Sequence, residues 1–166
     1  IDAITRNPVN HTHNLSLRGG TEKTNYIASI TYRKQDGILL NTGKEALTFK
    51  IGLNHSMMDD KLKIQLNVNN STIKQDVTWY NAYLQACLMN PTRPVYNEDG
   101  SYKEYGTSYK PYNPVALLNE ETDQEKWNQL LASGKITFSP IEGLNLSAMA
   151  AMQRYDSMRD KWNTFN

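Results

Sequence analysis

The chain has 166 residues and a formal net charge of +1, enough length for one domain but with no basic stripe for nucleic acid and no acidic tail. The single Cys87 excludes a disulfide within the chain and a cysteine-based metal cluster. Tyr, Asn and Thr are abundant while helix-favouring runs are scarce, so the composition predicts an all-β fold with long polar loops.

The sequence of this piece contains no candidate for a transmembrane helix or a signal peptide. No run of about 18 apolar residues is present, which excludes a transmembrane helix, and no basic and apolar leader precedes the first strand pattern. The chain begins at Ile1 without a start Met and stops at Asn166 within an alternating pattern. We therefore expect a piece cut at both ends, with any leader upstream.

Apolar and polar residues alternate in six segments separated by turn signals, which predicts about six strands. The pattern is clearest at 47–54 and 62–69, where one face is wholly apolar and the other polar. An amphipathic helix does not produce this period of two. The remaining segments are 14–18, 26–33, 130–138 and 144–153.

Short and long connectors alternate between these segments. The first, third and fifth are short, whereas the second runs from Gln35 to Glu45 and the fourth spans 71–125. Membrane β-barrels show this alternation, with short periplasmic turns and longer extracellular loops. We therefore predict that residues 71–125 form an extracellular loop, with a short helix at 79–89 that ends before Asn90 and Pro91.

A soluble β-sandwich also consists of alternating strands, with the apolar faces turned towards a second sheet. Strand pattern alone does not separate the two architectures. Aromatic residues near the strand ends favour the barrel, because membrane barrels carry aromatic girdles at both interfaces. They are Tyr26, Tyr32, Trp127 and Tyr155.

Tyrosines and one Trp give the long loop a chemistry suited to ligands, since aromatic rings stack on sugars and pack on peptides. Mutual packing within the loop is the competing interpretation. The candidate substrate-binding residues are Trp79, Tyr102, Tyr105, Tyr109 and Tyr112.

No group of residues predicts a catalytic, metal or cofactor site. His11 and His13 share one strand face but lack a third ligand nearby, and Asp59 and Asp60 fit a turn. Glu120, Glu121 and Asp123 fit a solvated loop, and the pair Gly19 and Gly20 links two strands instead of leading into a helix. Polar-face lysines predict a solvated barrel interior or contact with a plug; they are Lys50, Lys63 and Lys135.

Several ordered passages resemble the SusC/RagA branch of the TonB-dependent receptors. Residues 11–26 (HTHNLSLRGGTEKTNY), followed by Ser29, Tyr32 and 36–38, resemble the passage just after the plug domain of that family. Three further stretches resemble the family in the same order: 90–100, 113–116 and 138–144.

The resemblance implies a plugged barrel of about 22 strands in the bacterial outer membrane, of which this chain supplies about six. It implies import of oligosaccharides or peptides, energy from the TonB complex, and capping by a SusD-like surface lipoprotein. The plug and the TonB-contacting segment lie outside this sequence, and neither enzymatic activity nor a cofactor is implied. The alternatives are a soluble β-sandwich that binds carbohydrate and, with less support, a glycan-processing enzyme domain.

Overall fold

The computed structural model describes residues 1–78, 80–104 and 112–164. Within these residues six strands form one sheet, and every strand pairs antiparallel with its neighbour in chain order. All six predicted strands are confirmed. They are β1 (Asn10–Gly20), β2 (Thr24–Asp36), β3 (Gly43–Met57), β4 (Leu62–Asp76), β5 (Glu121–Ile141) and β6 (Leu144–Asn163).

The register places most of the apolar residues of the six strands on one face. Ile51 lies opposite Val68 and Leu53 opposite Leu66, so the alternating patterns of β3 and β4 coincide. This apolar face is exposed, with Ile51 at 57% and Leu66 at 46% of full exposure. Residues on it include Leu15, Leu17, Ala28, Ile30, Phe49, Ile64, Ile136, Phe138, Leu146 and Met152.

Strands β5 and β6 are 21 and 20 residues long, about twice the 9–11 residues that a tilted strand needs to cross a bilayer. Most of their aliphatic residues occupy the halves next to the connector 142–143. The other halves are richer in polar and charged residues, with Met158 and Trp162 among the exceptions, and extend towards the long connection 77–120.

The connectors at one end of the sheet are tight, at 21–23, 58–61 and 142–143. Met58, Asp59 and Asp60 adopt positive φ values of 57°, 54° and 66°, and Gly143 has φ of 83°. These left-handed residues reverse the chain within a few residues, which confirms the prediction of short turns at this end.

Two connector lengths differ from the sequence prediction. The second connector occupies only 37–42, because Gln35 and Lys34 already pair with Lys44 and Glu45 in the ladder. The long connection is 77–120 instead of 71–125, because β4 and β5 continue their pairing up to Asp76. In both places the strands continue through polar residues that do not alternate with apolar ones, so the sequence pattern does not reveal them as strand residues.

A small core closes the sheet end that carries the long connection. It contains helix α1 (Tyr80–Leu88), which confirms the helix predicted at 79–89, and a second helix α2 (Pro114–Glu120) that the pattern analysis missed. Ile4, from a 3₁₀ turn at Asp2–Ile4, and Leu118 are each almost fully buried in it. The other buried apolar residues of this loop-side core are Ala82, Val115 and Leu117.

Asn113 organises this core. Its side-chain oxygen caps α2 by accepting from the backbone N–H groups of Val115 and Ala116, and its side-chain nitrogen donates to the carbonyl of Val95 at 2.7 Å. Asn followed by Pro at the first helical position is a helix-start signal, so α2 was visible in the sequence. Neither α1 nor α2 has the length and apolar content of a helix that spans a membrane.

We predict that this segment expressed alone aggregates in buffer and becomes dispersed only with detergent. The sheet has two open edges and a broad apolar face, and both promote association. Size-exclusion chromatography with and without detergent measures the effect. A monomeric fragment that unfolds cooperatively in plain buffer would contradict the assignment of the apolar face to lipid.

We predict that Asn113→Ala lowers the free energy of local opening of α2 by about 1–2 kcal/mol, because a helix cap and a buried hydrogen bond are lost together. Hydrogen exchange of the α2 amides in the full-length protein measures this change. Asn119→Ala is the matched control, since Asn119 lies in the same helix and its hydrogen bonds with Asn41 and Tyr102 are solvent-exposed. Equal effects of both variants would contradict the role of Asn113.

Candidate functional site

The polar face of the sheet is a wall of hydroxyl, amide and basic side chains. Hydroxyl groups bond across strands on it, with Thr48 Oγ1 and Ser71 Oγ 3.1 Å apart. Asn14 donates to Thr31 Oγ1 at 2.6 Å. Such a face is suited to water or a hydrated ligand, in contrast to the apolar face behind it.

A notch interrupts this wall at Gly52. A Cβ atom at Gly52 would lie 3.0 Å from Ile27 Cγ2 and 3.4 Å from Asn67 Oδ1, so these two side chains pack closely over the bare backbone of Gly52. The cavity at this notch has a volume of about 280 Å³. Its lining, which we call the Gly52 notch, includes Ile27, Ser29, Lys50, Asn67, Asn69, Leu131 and Ser133.

Two aromatic residues predicted for a girdle lie on the polar face instead. Trp127 lies directly opposite Ser157, and Tyr155 lies directly opposite Gln129, with all four residues on the polar face. Lys44 Nζ lies 5.4 Å from the centroid of the Trp127 ring, within the range of a cation–π contact. The girdle prediction is therefore wrong for Trp127 and Tyr155, because position near a strand end does not specify the face.

Tyr26 and Tyr32 lie on the apolar face, as a girdle requires. Tyr32 packs beside His13 with ring centroids 6.5 Å apart, and His13 lies 5.2 Å from His11. The three rings form an aromatic patch where the apolar face meets the loop-side end of the sheet. Amphipathic rings suit that position at a membrane interface.

Ion pairs join β5 and β6 where they extend beyond the apolar band. Arg159 binds both carboxylate oxygens of Asp123, at 2.8 and 2.7 Å, and also contacts Glu125 at 3.0 Å. The hydrogen bonds from Arg159 hold the pKa of the Asp123 carboxyl below its usual range, although burial opposes this. Lys161 and Glu121 lie 2.7 Å apart. Glu121 and Asp123, predicted to lie in a solvated loop, are instead strand residues held in a structural network.

The predicted aromatic ligand site is only partly described. Tyr102 packs on the loop-side core, stacks on Tyr96 at 5.4 Å and accepts a hydrogen bond from Asn119, so its ring has a structural role. Tyr112 is 41% exposed. Trp79, Tyr105 and Tyr109 lie outside the described residues, and substrate contact by the five residues stays a prediction.

A second cavity, of about 300 Å³, lies beside the loop-side core. The end of α1, residues 89–95 and the start of α2 form its walls together with Ile1 and Ile4. Apolar carbons and the side chains of Arg93 and Asn113 line it, which suits a ligand of mixed polarity.

Comparison with known proteins identifies relatives along most of the chain. TonB-dependent receptor P26 of Formosa agariphila is 35% identical over 132 residues, which are 77% of this chain and 13% of that receptor. TonB-dependent receptor SusC of Bacteroides thetaiotaomicron is 24% identical over 159 residues, 82% of this chain and 16% of the receptor. No family model matches the chain.

The fold also matches solved structures of the RagAB peptide transporter. The TM-score is 0.77 at 18% identity, over 96% of this chain and 19% of the matched chain. The chain therefore spans less than a fifth of the length of these relatives. Its six-stranded open sheet, polar on one face and apolar on the other, corresponds to part of their barrel wall. The chain belongs to the TonB-dependent receptors of the SusC/RagA type.

Proposed function

We propose that this chain forms part of the barrel wall of an outer-membrane transporter that imports oligosaccharides or peptides, powered through TonB and capped by a SusD-like lipoprotein. The observation that carries the proposal is the opposite polarity of the two sheet faces through six consecutive antiparallel strands. A barrel wall needs this polarity, because one face contacts lipid and the other lines an aqueous interior.

The connectors support an orientation. The tight turns at 21–23, 58–61 and 142–143 would face the periplasm, and the long connection 77–120 would face the exterior. In that orientation the loop-side core and its cavity meet incoming substrate and the lipoprotein. Tyr112 and the undescribed Trp79, Tyr105 and Tyr109 are the substrate contacts that we propose there, with Tyr102 as a structural support.

The competing functions explain less of the structure. A carbohydrate-binding sandwich requires a second sheet on the apolar face, whereas the described strands all belong to a single sheet. A glycan-processing enzyme requires a carboxylate pair that can exchange protons with substrate. Asp123 and Glu125 are instead both bound by Arg159, and we propose that this segment performs no bond chemistry.

We predict that Leu66→Cys in the full-length protein is labelled by a thiol reagent dissolved in the bilayer and that Gln65→Cys is not. The two residues are adjacent on β4, but Leu66 lies on the apolar face and Gln65 on the polar face. Both variants carry Cys87→Ser, since Cys87 is exposed. Labelling of Gln65→Cys alone by the bilayer reagent would contradict the proposed topology.

We predict that the tagged full-length protein, purified from detergent-solubilised outer membranes, carries a surface lipoprotein with it. Mass spectrometry of the purified material identifies the partner. Recovery of the lipoprotein would support the transporter pair. A protein found only in the soluble fraction would overturn the barrel and favour the sandwich.

A further inference from the structure

Along most of the length of the strands, the charged side chains on the polar face are all positive. Between the register row of Glu125 and Arg159 and the tight turns, every charged side chain that the described strands place on this face is basic. There are five such cations, all exposed, and they extend from the loop-side end to the tight turns. We call them the cationic track: Arg18, Arg33, Lys50, Lys63 and Lys135.

Several other basic groups of the sheet have carboxylate partners. Lys34 pairs with Glu45 at 3.4 Å on the apolar face, and Arg154 pairs with Asp156 at 2.8 Å. Within the described part of the chain, no cation of the track lies within ion-pair distance of a carboxylate. The apolar face, in contrast, carries charges of both signs, such as Lys34 and Glu45.

Two cations of the track are close neighbours. Lys135 lies opposite Gln65, two residues along β4 from Lys63, so the two lysines are diagonal neighbours about 7–8 Å apart at Cβ. Like charges at this spacing repel each other. An anion between them would relieve the repulsion.

The Gly52 notch adds neutral hydrogen-bonding groups beside the track. Lys50 and Asn69 lie directly opposite each other at its edge. The side-chain oxygen Oδ1 of Asn69 is buried and has no hydrogen-bond partner among the described residues. Hydroxyl groups of Ser29 and Ser133 add further donors and acceptors to the lining, in which Ile27 and Leu131 are apolar.

We propose that the cationic track binds an acidic oligosaccharide, whose rings carry carboxylate or sulfate groups, and guides it along the polar face. The proposal rests on the transport function proposed above and names its substrate class. The cations match the repeated negative charges, and sugar hydroxyls match the unpartnered Asn69 oxygen and the serines of the notch. An acidic peptide offers one backbone N–H per residue and fewer hydroxyl groups, so it fits the notch less well.

The test measures binding to the purified full-length protein in detergent by calorimetry. The probes are two matched pairs: oligogalacturonate with its neutral methyl ester, and sulfated with unsulfated dextran oligomers. We expect at least one charged member to bind about tenfold or more tightly than its neutral twin, with affinity that falls as salt screens the charges. Equal binding within both pairs, or none, would overturn the proposal.

Two double variants locate the site. Lys50→Gln with Lys135→Gln should weaken binding of the charged probe about tenfold, as expected for two partly screened ion contacts. Lys74→Gln with Lys126→Gln removes the same charge from the apolar face, where both lysines are exposed, and should leave affinity unchanged. Equal loss in the two double variants would overturn the assignment to the track.

Two further outcomes identify a different occupant. Equally tight binding of oligoglutamate would show a wall for anions of any kind and overturn the sugar assignment. A lower unfolding temperature of Lys50→Gln with Lys135→Gln, without binding of any charged sugar, would assign the track to an acidic protein surface inside the barrel. These measurements are made only on protein that has first been recovered from the outer membrane together with a lipoprotein, so failure here is distinct from failure of the transport proposal.

Discussion

The backbone ladder between neighbouring strands is the constraint on which this structure depends. Four of its five pairings run without a register shift, and the fifth shifts only beyond Phe138 at the final turn. Because side chains alternate with a period of two, one slipped residue would move Leu47, Ile51 and Leu53 to the polar face. The nearly uninterrupted register thus keeps most apolar side chains on one face and most polar side chains on the other across all six strands.

The two ends of the sheet follow different physical rules. At one end, left-handed residues such as Asp59 and Gly143 close the hairpins with almost no loop. At the other end the chain leaves the ladder between Asp76 and Glu121 and builds its own small core around Leu118 and Asn113. This core orders a long connection that has few backbone bonds to the sheet, and it holds the cavity beside α1 in shape.

Charge is distributed differently on the two faces. The apolar face carries both acidic and basic groups, some of them paired as Lys34 is with Glu45, and in the extensions of β5 and β6 Arg159 pairs with Asp123. Along the polar face beside the Gly52 notch, cations such as Lys50 have no acidic partner among the described residues. A polar face whose charges are all positive can bind an anion from outside this segment. Paired charges mainly stabilise the sheet.

The sequence by itself determined the all-β class, the six strands, helix α1 and the polarity of each face, because period-two alternation is a local property of the chain. Only the tertiary structure decided which face each residue near a strand end occupies, so that Trp127 and Tyr155 lie on the polar face. It also decided how far the strands extend, since residues such as Asp76 and Gln124 join the ladder through backbone pairing that no side-chain pattern marks. The notch likewise forms between residues of different strands, such as Gly52 and Ile27. The cationic track also combines residues of different strands, such as Lys63 and Lys135, which are neighbours in the sheet although they are far apart in the sequence.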